Sequence, residues 1–190
     1  MNVNVMGRCC VDVEACCPSS KILNVDDFYL DLQRCNRCQS TDQRLEEALE
    51  LLRPVLHEFG YSFNLNKIHM STKDLALKYR FLSSPTIRIN DIDLFETVTE
   101  NECGCCSEIS GHVTDCRTFE EDGQTVNAPS VKLLIEKILL HILNKPKQRD
   151  IKPYVLPENL EQFYQKKAVS PMNSWLCLSK PMFRAIRNLY

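Results

Sequence analysis

Two hydrophobic periods alternate between residues 27 and 144. Phe28, Leu30 and Leu32 are separated by Tyr29 and Asp31, the two-residue repeat of a strand with one more buried face. "DQRLEEALELLRPVLHEFG" then sets Leu45, Leu49, Leu52 and Leu56 at helical spacing. Ser40 or Thr41 offers an N-cap, Pro54 predicts a kink and Gly60 a stop. "YSFNLNKI" returns to alternation, and Ser71 or Thr72 opens a second helix through "STKDLALKYRF". Thr86 to Ile89 read as a strand ended by an Asn90-Asp91 turn, and "DIDLFETV" can complete the hairpin. Asp122-Gly123 marks a second hairpin, and the apolar stripe of "VKLLIEKILLHIL" closes the unit as a helix from Ser130 to Leu143. The pattern predicts an α/β unit, a central mixed sheet flanked by helices, interrupted by a cysteine-rich loop insertion at "NECGCCSEISGHVTDC".

Residues 1–26 lack a sustained period and read as a cysteine-rich N-terminal arm ahead of the domain at 27–144. Residues 145–190 read as a proline-containing linker and tail with one short helical pattern, "ENLEQFYQKKA", to which no function is assigned. A formal net charge of −2 gives no nucleic-acid footprint. The most apolar stretch is too short and too charged for a membrane span, and the N-terminus lacks the pattern of a signal peptide. The expectation is a cytoplasmic protein with no membrane partner.

Composition changes this picture at one point: the chain has 11 cysteines. An odd count without a secretion signal argues against a disulfide scaffold and for redox chemistry or soft-metal binding. The isolated Cys177 suits a small buried hydrophobe. Cys35 and Cys38 lie at a strand-to-helix junction, where unpaired backbone N–H groups favour a thiolate. Arg34 and Arg37 add positive charge beside them. In disulfide exchange an exposed Cys35 would attack and Cys38 would resolve the mixed disulfide.

Strand, CxxC, proline-containing helix, strand, helix and then Ser84-Pro85-Thr86 leading into a strand resembles the thioredoxin fold. "CNRCQSTDQRLEEALELLRPVL", "SSPTIRIN" and the insertion before "DCRTFEEDGQ" are more similar to a group of uncharacterised, cysteine-rich thioredoxin-like proteins of prokaryotes. The resemblance implies that Pro85 is cis and, with Ser84, lines the substrate side of the dithiol, binding extended chains through backbone hydrogen bonds. It also departs from thioredoxin. Arg34 replaces the tryptophan before the first cysteine, Asn36-Arg37 replaces Gly-Pro, and Tyr29 falls where thioredoxin buries an acid, so no proton relay is carried over.

The insertion supplies Cys103, Cys105, Cys106, His112 and Cys116. One set of four among them suits zinc, although the spacing is atypical, and thiolates suit copper(I), mercury(II) or trivalent arsenic. Structural disulfides, a redox relay to Cys35 and Cys38, and an inert surface loop are the other readings. The vicinal pairs Cys9-Cys10 and Cys16-Cys17 are poor bridges and better chelators. Leading is a thiol–disulfide oxidoreductase with Cys35 as nucleophile and Cys38 as resolving thiol. It would need no cofactor, would act on a protein or small-molecule thiol, and would be recycled by a reductase. The competing reading is a soft-metal or metalloid binding and transfer protein, holding zinc or copper(I) through the CxxC and the Cys103–Cys116 cluster.

Overall fold

Alternation in the first strand, β1 (Lys21–Tyr29), decides how the molecule is layered. Leu23 and Val25 point to one face of the sheet; Phe28, and Leu30 just past the strand, point to the other. The structure is a computed structural model that describes residues 21–144 and 153–167. β1 therefore begins six residues before the expected domain start, because Leu23 and Val25 carry the buried face backwards from Asp27. The rest of the cysteine-rich arm lies outside the described residues.

After β1 come helix α1 (Asn36–Glu58), β2 (Tyr61–His69), α2 (Lys73–Lys78), β3 (Thr86–Ile89) and β4 (Ile92–Asp93). The sheet order is β2-β1-β3-β4, with β1 parallel to β2 and antiparallel to β3, and β3 antiparallel to β4. This mixed sheet is consistent with a thioredoxin-like α/β fold. α1 is capped at Cys35 rather than at Ser40 or Thr41, one turn earlier than expected, and it continues across Pro54. Gly60, at φ +74°, reverses the chain where an L side chain would be strained. Thr72 caps α2 by accepting from the Leu75 N–H.

The cysteine-rich insertion is not a loop; with the hairpin that follows, it builds a subdomain. β5 (Thr99–Glu102), α3 (Gly104–Ser110), β6 (Asp115–Glu121) and β7 (Gln124–Val126) form a helix and a second sheet of order β5-β6-β7. Asp122 and Gly123, at φ +50° and +77°, make the β6–β7 hairpin turn that the Asp-Gly pair predicts. Arg117 fastens this subdomain to the main sheet. Its side chain is fully buried, pairs with Asp93 at 2.8 Å, and donates to Thr86 Oγ1 and to the carbonyls of Phe95 and Thr97. Helix α4 (Val131–Asn144) then packs beside α1.

Two apolar clusters result. In one, Leu23 and Val25 of β1 meet Leu45, Leu49 and Leu52 of α1 and Leu134 and Ile138 of α4. In the other, Phe28 and Leu30 meet Met70, Phe81 and five buried cysteines. The final helix, α5 (Glu158–Lys167), belongs to this second cluster. Leu160 and Phe163 are fully buried there, and the Tyr164 hydroxyl donates to the Met70 carbonyl at 3.0 Å. The segment read from sequence as tail thus helps to enclose the cysteines. Among the described residues, no helix is long and apolar enough to cross a membrane.

Candidate metal centre

Asp31 builds the turn that delivers the first cysteine. Its Oδ1 accepts from the backbone N–H groups of Gln33 and Arg34 at 2.7 and 2.8 Å, so Cys35 arrives as the extended N-cap of α1. Cys38 follows in the first helical turn. Both side chains are buried, Cys35 at 0% exposure, which corrects the expectation of an exposed attacking thiol. The physical reason is the insertion, which covers the start of the helix.

Cys103 holds the same position on α3 that Cys35 holds on α1, an extended N-cap residue. Its N–H donates to the Thr114 carbonyl at 2.9 Å, and Gly111, left-handed at φ +71°, turns the chain back toward β6. Cys106 lies three residues along, on the helix face of Cys103. Cys105 is rotated away from that face and is half-buried.

These elements bring three sulfurs together. Cys35 Sγ lies 3.7 Å from Cys103 Sγ, and with Cys106 Sγ all three are within 4.8 Å of one another. A soft ion bonded to sulfur at about 2.3 Å holds its ligands roughly 3.8–4.0 Å apart, so the trio fits such an ion with small adjustment. None of the six described cysteines is in a disulfide. The walls are Phe28, Leu30, Met70, Leu160 and Phe163, an apolar surround in which an isolated thiolate is costly and a metal-bound one is compensated. Among the described residues this is the cluster of His, Cys, Asp and Glu side chains that could hold a metal.

Hydrogen bonding orders the thiols. Side-chain hydrogen bonds with Cys106, Cys116 and Cys35 hold the Cys103 thiol well below its usual range. The same contacts to Cys103 push Cys35, Cys106 and Cys116 up.

The expected residues therefore fall into different places. Cys116 touches Cys103 and Cys106 but stands outside the three-sulfur group. Cys105 and His112 are also outside it: Cys105 by helical rotation, His112 because it follows the Gly111 reversal. Cys38 Sγ lies 3.3 Å from Ser84 Oγ and also hydrogen-bonds with the Cys35 thiol, while standing outside the three-sulfur group. The Ser84–Pro85 bond is cis, as the resemblance implied. The Ser84 carbonyl, however, already accepts from Arg117 N–H at 2.7 Å, so the insertion occupies the backbone position expected to bind an extended substrate. Arg37 does not face the dithiol. Its guanidinium donates to the carbonyls of Cys116 and Arg117 and to Asn101 Oδ1.

The leading sequence reading placed Cys35 and the Cys103–Cys106 pair in two sites, and the competing metal reading joined them. The missed signal was the i, i+3 spacing of Cys103 and Cys106 in a segment read as loop. A second omission is Asp27, 1% exposed, with both carboxylate oxygens unpartnered. Burial, and then the charge of Asp42, raise its pKa to about 8.

The profile of a domain of unknown function, DUF2703, matches residues 23–138. Comparison with curated proteins and with solved structures finds no match.

Proposed function

Since the chain belongs to the DUF2703 family, whose activity is not defined, we propose its function from the site: it binds one soft, thiophilic ion through Cys35, Cys103 and Cys106. The observation that carries this reading is the convergence of three sulfurs from two helix starts, at ion-bridging separation within an apolar cluster. Three thiolates suit copper(I), which tolerates low coordination; zinc would draw its fourth ligand from the adjacent Cys116 or from water. Cys35 serves as the ligand that ties the main sheet to the insertion, so binding would also join the two substructures. Reduced thiols of this kind persist in a reducing compartment, and we place the protein in the cytoplasm.

Thiol–disulfide exchange on a thioredoxin-like scaffold is the second reading, favoured by the CxxC at the start of α1 beside Ser84-Pro85. It is weakened by the burial of both thiols and by the Arg117 bond to the Ser84 carbonyl.

The test is anaerobic copper(I) titration against a chromogenic chelator, with Cys9, Cys10, Cys16 and Cys17 replaced by serine to remove the arm thiols. The expected result is one ion per chain, with affinity falling about 100-fold or more in each of Cys35→Ser, Cys103→Ser and Cys106→Ser. Equal affinity in all three variants would refute the cage. Catalytic reduction of a disulfide substrate that depends on Cys35 and Cys38, but not on Cys103 or Cys106, would establish the second reading.

A further inference from the structure

The three ligands leave little room for an ion to arrive unaided: Cys35 and Cys106 are fully buried and Cys103 is 6% exposed. A groove of about 570 Å³ adjoins the cluster, and of the three ligands it touches Cys103 alone. Cys105, which helical rotation takes off the cage face, lines the same groove. Its lining also includes Arg37, held by the carbonyls of Cys116 and Arg117, Arg44, held by those of Ala128 and Pro129, and the carboxylates Glu102 and Glu121. The volume is in the range of small-molecule sites and accommodates a short peptide. Cationic and anionic residues together in the lining suit a zwitterionic molecule.

Resting on the copper(I) cage proposed above, we propose that this groove receives the ion as its complex with a peptide-sized, zwitterionic thiol, and that Cys105 is the first protein ligand. In the first exchange a copper–sulfur bond to one carrier thiolate breaks and a bond to Cys105 Sγ forms. The Cys105 proton leaves with the carrier as its thiol. Cys103, whose thiol its neighbours hold well below the usual range, then displaces the second carrier thiolate. Cys35 and Cys106 complete the cage; one of their protons leaves with the second carrier and the other returns to Cys105. Overall, two cysteine thiols lose protons, one to each departing carrier molecule. Copper stays monovalent throughout, so no oxidant or reductant is involved.

The test is stopped-flow loading of the full chain carrying the four arm substitutions, from two probes: copper(I) bound to reduced glutathione, and copper(I) in acetonitrile. Cys105→Ser should leave equilibrium affinity within about twofold and slow loading from the glutathione complex at least tenfold. Asn127→Trp, which fills the exposed side of the groove, should slow loading from glutathione but not from acetonitrile. In the unsubstituted groove the glutathione rate should saturate with carrier concentration. Unchanged loading in both variants, with full copper occupancy, would overturn the groove and leave the cage standing. Failure of the starting chain to take up copper from either probe would sink the cage, and this inference with it.

Discussion

The two apolar clusters on opposite faces of the same sheet are built differently. Leu23, Val25, Leu45, Leu49, Leu134 and Ile138 make one of them, and every contact there replaces water with hydrocarbon. The other sets Cys35, Cys38, Cys103, Cys106 and Cys116 among Phe28, Met70, Phe81 and Phe163. A sulfur packs almost as a methyl does, so both clusters stabilise the fold in the same way. Only the second can also exchange protons for an ion. What distinguishes it is the placing of thiols at helix starts, where the backbone sets their mutual distance.

This comparison can be broken first at a buried carboxyl. Asp27 is buried on the aliphatic side, with a folded pKa of about 8 against 3.8 unfolded. The folded state holds a proton that the unfolded chain has released. Its stability contribution is therefore fully present below pH 3.8 and is lost as pH rises through 8. The swing is on the order of 5 kcal/mol, and urea midpoints measured from pH 4 to 8 should fall accordingly. Asp27→Asn should flatten that slope; an unchanged slope would mean that the carboxyl is solvated.

Next in size is Arg117, which joins the insertion to the main sheet. Arg117→Met leaves Asp93 and two carbonyls without their donor and should cost about 4 kcal/mol by chemical denaturation. Copper affinity should fall as well, because Cys35 and Cys103 lie on the two parts that Arg117 joins.

Leu134→Ala and Cys106→Ser sharpen the contrast. The first should cost about 3 kcal/mol and leave copper affinity within twofold. The second should cost less than about 1.5 kcal/mol and abolish high-affinity binding. Similar behaviour of the two variants would erase the distinction between the clusters. The smallest effect belongs to Cys38→Ser. Its sulfur touches Ser84 and the Cys35 thiol without joining the trio, and copper affinity should fall about 10-fold, well short of the loss of a ligand.

Sequence legibility follows the same division. The period-2 and helical patterns located the strands and helices of the main unit, since each element's face is written locally in residues such as Leu45, Leu49 and Leu52. Asn90-Asp91 and Asp122-Gly123 marked their turns for the same reason. The insertion was harder to read. α3 has only 7 residues, too few to show a helical period, so Cys103 and Cys106 did not stand out as neighbours. The Cys35–Cys103 contact spans 68 positions and depends on how the insertion folds back over α1, which no local pattern records. α5 was legible as a helix, but its burial against Met70 and the cysteines was not.

The most direct test of the thiolate cage is copper-edge X-ray absorption on the chain with its four arm cysteines replaced, loaded with one equivalent of copper(I). The account predicts a first shell of three sulfurs, losing one sulfur in each of Cys35→Ser, Cys103→Ser and Cys106→Ser. A shell containing nitrogen, or a sulfur count unaffected by those substitutions, would contradict it.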